Sequence, residues 1–577
     1  YWYSDVVIFD LGELPPRETE AYFAGLNLLH PPRTDESEFN SAGANFAENI
    51  YQSDIGYVFG IHHSALVEKQ YSDLGPGFLV EVEEYAANNN YLEDPPTFAL
   101  PGAYNMYTGK DRPGTMRGGG SGSGLFDSEQ RLLGTLGAGG PESCDEREDE
   151  NLSDGGTQHS YTSIYTAYEQ DTLADLIDPL GTGERTYAGI APDYPPHARL
   201  AASCNGLTCQ FDARGSSDET GISAYAWTFG DGASADGVLV EHRFGGAADY
   251  PVTLTVTDSS GQQEQVTETV TAEPVGGSSG SGAWSWLGLL LLLSGAGLRR
   301  MAWSVRWWIA SLLLVPLSAQ AEVVNADLRA LAAEQFVSPV QFAVVVEHPL
   351  STSTSGQWMQ EDHQWTWTHS ITVPGARSVA IRSQPLDLPA GAVLHVEDAS
   401  GANTGDYRRD DLSPSRRFAS RHVPGDTIKL TITTSETNRP EITFTQLLAS
   451  PSQAALRKDG EDPHRCDMNY SCVKSPANEL AGRATVAWSW DAGIGCTGTL
   501  IHVIGDTPTD ITPLLLTADH CTKKPEGTSE GDPEREEAGD TMVLYFLREE
   551  ICGQPLDGLF AIEGPTLFVD ATPVYWY

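Results

Sequence analysis

The stretch Cys496-Thr497-Gly498-Thr499-Leu500-Ile501-His502, followed by Leu514-Leu515-Leu516 and then by Thr517-Ala518-Asp519-His520-Cys521, decides how this chain is read. The first part has strand character. The second is a short apolar run that leads into a histidine beside a cysteine. A half-cystine next to a histidine suits a general base, because a disulfide there fixes the imidazole's backbone close to a partner. Alone, a His-Cys pair is a weak signal, so the rest of the chain has to supply the partners.

Two other segments do so. Gly118-Gly119-Gly120-Ser121-Gly122-Ser123-Gly124 leads into Leu125-Phe126, and glycines around a serine let backbone N–H groups turn toward a developing oxyanion. The same composition is also that of a flexible linker. The continuation Arg131-Leu132-Leu133-Gly134-Thr135-Leu136 argues against a linker, because it is a strand pattern that a linker would not need. The third segment, Ser4-Asp5-Val6-Val7-Ile8-Phe9-Asp10-Leu11, sets Asp5 at the head of a buried-looking strand. A buried carboxylate is costly unless paired, and a histidine is its usual relief.

Taken together these pieces resemble the trypsin-like superfamily, and within it the bacterial lysyl endopeptidases. The correspondence runs over 464–577 followed by 1–170 and includes Ile61-His62-His63 and Gly139-Gly140-Pro141-Glu142-Ser143-Cys144. The family orders its triad His, Asp, Ser, and reading through the end of the chain into its beginning gives His520, Asp5, Ser121 in that order. The resemblance implies an all-β, chymotrypsin-like double β-barrel. It also implies that His520 is the general base, that Asp5 orients it, that Ser121 is the nucleophile, and that the N–H groups of Gly119 and Ser121 form the oxyanion hole. Two positions depart from the wider pattern. Gly120 stands where most chymotrypsin-like enzymes carry Asp, as in lysyl endopeptidases, and Ala138 stands where that group has its pocket histidine. Asp154 is the candidate acidic base of the specificity pocket.

The eight cysteines are even in number, and a signal peptide would put them in an oxidising compartment. The resemblance implies Cys496 with Cys521, Cys472 with Cys552 and Cys466 with Cys144, which leaves Cys204 and Cys209 to close a small loop of their own. A zinc site is the other use of clustered cysteines, but no histidine stands at ligand spacing from these pairs. No metal and no cofactor are expected.

The order of the chain is unusual. Residues 301–321, MAWSVRWWIASLLLVPLSAQA, have the pattern of a secretory signal peptide ending on small residues. Immediately upstream, the Gly/Ser stretch 276–282, the apolar run 283–293 and the pair Arg299-Arg300 resemble the Gly-Gly C-terminal sorting tail of Gram-negative bacteria, which is processed during export to the cell surface. The alternative, a membrane hairpin, is weakened because both runs fall short of the roughly 18 apolar residues a span needs. The tripeptide YWY occurs at both ends of the chain. The expected natural order therefore runs from Met301 to Tyr577 and continues from about Ser4 to Arg300.

The remaining regions read as accessory. Within 198–273, Trp227-Thr228-Phe229-Gly230-Asp231-Gly232 and the alternating run Val252-Thr253-Leu254-Thr255-Val256 point to a β-sandwich, and the segment resembles a PKD domain. Residues 322–460, with Trp365, Trp367, Ile371, Val373 and Ile381 in short alternating runs, read as a β-rich propeptide, with Arg457 and Lys458 as the place where it is removed. The protease pieces are then 1–190 and 464–577. A chain of 577 residues carrying 34 Lys and Arg against 80 Asp and Glu, net charge -46, repels nucleic acid and anionic membrane surfaces, and no nucleic-acid partner is expected.

The expected protein is a secreted or surface-attached serine endopeptidase of a Gram-negative bacterium, cutting after Lys or Arg and made as a zymogen. Its partners would be protein or peptide substrates and the export and sorting machinery, with transient membrane contact through the tail. Two non-enzymatic alternatives stand beside it. One is an inactive protease fold used as a surface adhesion module with its PKD domain. The other is a β-sandwich surface protein in which the His and Ser motifs are coincidental.

Overall fold

A computed structural model of the chain describes residues 5–29, 33–35, 47–63, 69–85, 103–109, 120–139, 156–170, 173–273, 321–335, 341–361, 364–412, 414–435, 439–451, 468–491, 493–522, 538–546, 566–569 and 572–576. These residues form two compact units, Tyr1–Pro192 with Ala321–Tyr577, and Asp193–Gln320. Both are built from strands, and the protein is all-β.

The strands Ile494–Ile501 and Leu514–Thr517 lie in a seven-stranded sheet of the first unit. Its order is Thr566–Val569, Met542–Tyr545, Thr485–Trp490, Ile494–Ile501, Leu514–Thr517, Val7–Asp10 and Thr572–Trp576. The strand Val7–Asp10 is antiparallel to both of its neighbours, with Val7 opposite Thr517 on one side and opposite Trp576 on the other. Segments from near the two ends of the chain thus pair like the arms of a hairpin. Successive side chains point to opposite faces, and because both faces are buried Val7, Ile8 and Phe9 are all apolar. Val7 and Phe9 face a cluster with Val486, Trp488, Trp490, Leu500 and Leu515, while Val6 and Ile8 face another with Ile501, Leu514 and Leu516. Burying each such side chain contributes about 1.5–3 kcal/mol. The Trp488 indole is satisfied inside the sheet by the Thr497 carbonyl at 3.2 Å and the Thr517 hydroxyl at 3.1 Å.

The second sheet of this unit has the order Arg33–Asp35, Ala47–His62, Gln70–Tyr85, Ala103–Gly109, Gly156–Ser163, Leu132–Gly139 and Gly124–Asp127. The last strand also pairs with Ala47–His62, Phe59 lying opposite Phe126, and this closes the sheet into a barrel. Val58, Leu74, Leu125, Leu133, Leu136 and Tyr161 fill one of its clusters. The pattern Arg131 to Leu136 is therefore a strand, and the serine-glycine run leads directly into the barrel wall.

Residues 321–451 fold as two packed sheets sharing one core, in which Trp367, Ile371 and Leu430 from one sheet meet Val344, Val379 and Leu447 from the other. Trp367 points inward and its indole donates to the Ser355 carbonyl at 2.8 Å. This sandwich belongs to the same compact unit as the two sheets just described.

The unit Asp193–Gln320 holds a three-stranded and a four-stranded sheet around Phe211, Trp227, Phe229, Phe244, Val252 and Leu254. Residues ahead of the first strand are tied into the sandwich from Asp193 onward. The Tyr194 N–H donates to Glu219 at 2.6 Å, and His197 exchanges backbone hydrogen bonds with Ser217. Among the described residues no helix is long and apolar enough to cross a membrane. The apolar runs read as sorting tail and signal peptide lie outside the described residues, apart from Ala321.

Candidate active site

Asp5 stands two residues ahead of the strand Val7–Asp10, and His520 sits in the single 3-10 turn Asp519–Thr522 that follows Leu514–Thr517. Since these strands are neighbours, the sheet sets the two residues side by side. Asp5 Oδ1 accepts the His520 main-chain N–H at 2.8 Å, and Asp5 Oδ2 is hydrogen-bonded to His520 Nδ1. A carboxylate only accepts, so Nδ1 carries the proton and the acceptor lone pair of the neutral ring is on Nε2. The two side chains are 28% and 36% exposed, open enough for a ligand to reach the ring.

Neighbours hold both partners in place. The Asp5 N–H donates to Thr162 Oγ1 at 3.3 Å, and a methyl group placed on Gly137 would lie 3.2 Å from Asp5 Oδ2. On the other side, Cys521 is joined to Cys496 with their Cα atoms 6.2 Å apart, and its carbonyl accepts the Trp490 indole N–H at 2.8 Å. The histidine's turn is thereby tied to two adjacent strands of the first sheet.

Ser121 begins a tight turn between the two sheets. Its carbonyl accepts the N–H of Thr497 at 3.0 Å, and the Ser123 N–H returns to the Gly120 carbonyl at 3.0 Å. Gly122 adopts φ +82°, and a methyl group there would come within 2.1 Å of Thr517 Oγ1 and 2.2 Å of the Thr497 carbonyl. Only glycine fits so close an approach with a left-handed backbone. The turn that carries Ser121 is thus packed on Thr517, the last residue of the strand that leads to His520, and on Thr497 of the adjacent strand. Behind the turn, Tyr161 is fully buried, and burial pushes its phenol well above the usual value. His62 and His63, quoted in the sequence pattern, are buried as well. His62 Nε2 is 2.9 Å from Ser72 Oγ, and the His63 N–H donates to Thr497 Oγ1 at 2.9 Å.

Of the other expected residues, Cys204 and Cys209 are disulfide-bonded across neighbouring strands, and Cys472 is also in a disulfide. Gly119, Asp154, Cys144, Cys466, Cys552, Arg457 and Lys458 lie outside the described residues.

A second constellation escaped the sequence reading. In the unit Asp193–Gln320, carboxylate oxygens of Asp193, Asp218 and Asp258 lie within 4.8 Å of one another. Asp258 is 1% exposed; its Oδ1 accepts the Ser260 hydroxyl at 2.8 Å and the N–H groups of Ser260, Gly261 and Gln262 at 2.7–2.8 Å. Burial pushes this carboxyl up, but those hydrogen bonds outweigh it and hold it below its ordinary value. Asp258 Oδ2 and Asp193 Oδ1 are buried without a hydrogen-bond partner. Hard oxygen donors in such a group suit a divalent cation of the calcium type. The three aspartates are spread along the sequence, and only the run Asp258-Ser259-Ser260-Gly261 gave a local hint, a turn that folds onto its own carboxylate.

Comparison with known proteins bears on the second unit most directly. Residues 193–273 match the family described as PKD domain, and this part of the chain is a PKD domain. The chain is similar to a microbial collagenase of Vibrio alginolyticus, 33% identical over 87 residues that make up 14% of this chain and 11% of that protein. It spans about a tenth of the length of that curated relative. The PKD1 domain of Vibrio anguillarum Epp is 31% identical, with 14% of this chain and 98% of that one covered and a TM-score of 0.14. The secreted serine protease VesC from Vibrio cholerae is 12% identical, with 69% of this chain and 73% of that one covered and a TM-score of 0.13.

Proposed function

We propose that the chain is a secreted or surface-attached serine endopeptidase that hydrolyses peptide bonds through an acyl-enzyme, with preference for Lys or Arg before the cut. The observation that carries the reading is the pair of hydrogen bonds from His520 to Asp5, beside a serine turn packed on the strand that leads to the histidine. In this reading His520 Nε2 takes the Ser121 hydroxyl proton as the oxygen attacks the scissile carbonyl, and Asp5 stabilises the imidazolium that forms. The N–H groups of Gly119 and Ser121 receive the oxyanion. The imidazolium then returns the proton to the leaving amine, and water repeats the sequence to free the acid. Asp154 supplies the carboxylate for a basic side chain. Residues 322–460 are a propeptide, and the segment resembling a Gly-Gly tail directs the protein to the outer surface.

A serine-reactive fluorophosphonate probe tests this. Covalent labelling that disappears in Ser121→Ala and in His520→Ala is the expected result. An unlabelled wild-type protein with intact fold would favour the non-catalytic adhesion alternative.

A further inference from the structure

The strand Thr485–Trp490 is buried on both faces. Its Val486, Trp488 and Trp490 point into the first sheet's core, whereas Ala487 belongs to a separate cluster with Val543 and Tyr545 of the adjacent strand. What covers these three is the 341–451 sandwich, through Phe342, Ala343, Ala380, Ala419 and Leu448. Polar contacts frame the apolar patch. The Phe342 N–H donates to the Gly493 carbonyl at 3.0 Å, and Ser415 Oγ donates to Asp540 Oδ2 at 2.5 Å. Arg382 Nη1 meets Asp491 Oδ2 at 2.5 Å, with Arg382 Nε held by Gln446 at 2.8 Å. These two charged side chains are only 13% and 10% exposed.

An apolar centre closed by a desolvated ion pair is the anatomy of a protein–protein interface. The docked face lies away from the catalytic groups in the sheet: Ile494–Ile501 and Leu514–Thr517 stand between Thr485–Trp490 and the strand next to Asp5. It is nevertheless linked to the histidine. Asp491, gripped by Arg382, follows Trp490, whose indole holds the Cys521 carbonyl next to His520.

We infer that the 341–451 sandwich is a docking partner of the first sheet that stays bound after the chain between 452 and 467 is cut, bracing the His520 turn through Arg382 and Asp491 instead of plugging the substrate cleft. This rests on reading residues 322–460 as a segment that is cleaved from a protease. Arg382 and Asp491 are positioning residues in this scheme.

The test uses the full chain with site-specific cleavage sequences at 276–282 and 454–460, so that cutting both frees the sandwich. In a Ser121→Ala background the freed piece should co-elute with the remainder on gel filtration. Arg382→Met leaves Asp491 buried without its cation and should weaken that association at least about a hundredfold. The neutral pair Arg382→Gln with Asp491→Asn should recover most of the loss, which separates a lost contact from a misfolded piece. Separation of the wild-type pieces on cutting, or equal retention in Arg382→Met, overturns the inference. With Ser121 intact, a small ester substrate gives a second readout. Bracing predicts that hydrolysis persists in the cut complex and falls when the sandwich is removed, whereas a rise on removal would mean a plug. No hydrolysis in any state would sink the protease reading alone, since the elution arm does not depend on it.

Discussion

Asp5 and His520, 515 residues apart in sequence, are joined by two hydrogen bonds, one to the histidine's main-chain N–H and one to its ring Nδ1. The first fixes where the backbone of the histidine turn sits, and the second fixes which ring nitrogen carries the proton. Asp5→Asn should keep the fold, since an amide oxygen still accepts the main-chain N–H, but it no longer presents a charge to the ring. In the proposed mechanism kcat for an ester or peptide substrate should drop by about a thousand- to ten-thousandfold, with KM within about threefold of wild type. Steady-state kinetics near neutral pH decide it, and an unchanged kcat would remove Asp5 from the machinery.

Gly122 should tolerate no side chain. Gly122→Ala places a methyl on the Thr517 hydroxyl and the Thr497 carbonyl at a positive φ, so the Ser121 turn must move away from the first sheet. The expected loss is about 3 kcal/mol or more of stability, together with loss of probe labelling at Ser121. Denaturant midpoints for the two proteins measure the first effect, and midpoints that agree would show that the close approach is not needed.

His502 should make the first unit acid-sensitive. Burial lowers its pKa against the opposing hydrogen bonds with the carbonyls of Ala188 and Val503, so the folded protein resists protonating it. Below about pH 6.5 the unfolded chain binds a proton that the folded chain does not, and stability falls with acidification until the folded group also titrates. Above that pH the contribution is constant. Replacing the ring in His502→Gln also disturbs its edge contact with Tyr187, so the slope of stability against pH, and not its absolute value, is the quantity to compare. The variant's slope should be shallower across about pH 5 to 6.5. Parallel slopes would contradict the assignment.

The aspartates of the PKD domain should respond to calcium. Three carboxylates sharing oxygens within 4.8 Å repel each other, and a divalent cation would relieve that repulsion. Thermal unfolding of the chain, followed by a fluorophore near Trp227 of this unit, should shift upward on adding calcium and return on chelation. Asp258→Asn should abolish the shift. A melting temperature indifferent to calcium in the wild type would mean that the cluster holds no calcium.

Sequence by itself determined the strand character of Cys496 to Ile501, Leu514 to Leu516 and Val6 to Phe9, because runs of buried apolar residues and their turn punctuation are local properties of the chain. The PKD segment was legible for the same reason, its Trp227 to Gly232 run and the strand that follows being contiguous. The nearness of Asp5 to His520 was foreseeable only through a family's motif order read across the chain's own ends. What the tertiary structure decided is everything that depends on packing between distant segments. The contact of Gly122 with Thr517, the seating of Asp5 beside Gly137 and Thr162, and the grip of Arg382 on Asp491 have no periodicity to announce them. The 322–460 region shows the limit most clearly. Its alternating strands could be read as β-rich, but alternation states only that one face is buried and not against what. Ala487, Val543 and Tyr545 face outward from their own sheet and are buried nonetheless, because another sandwich covers them.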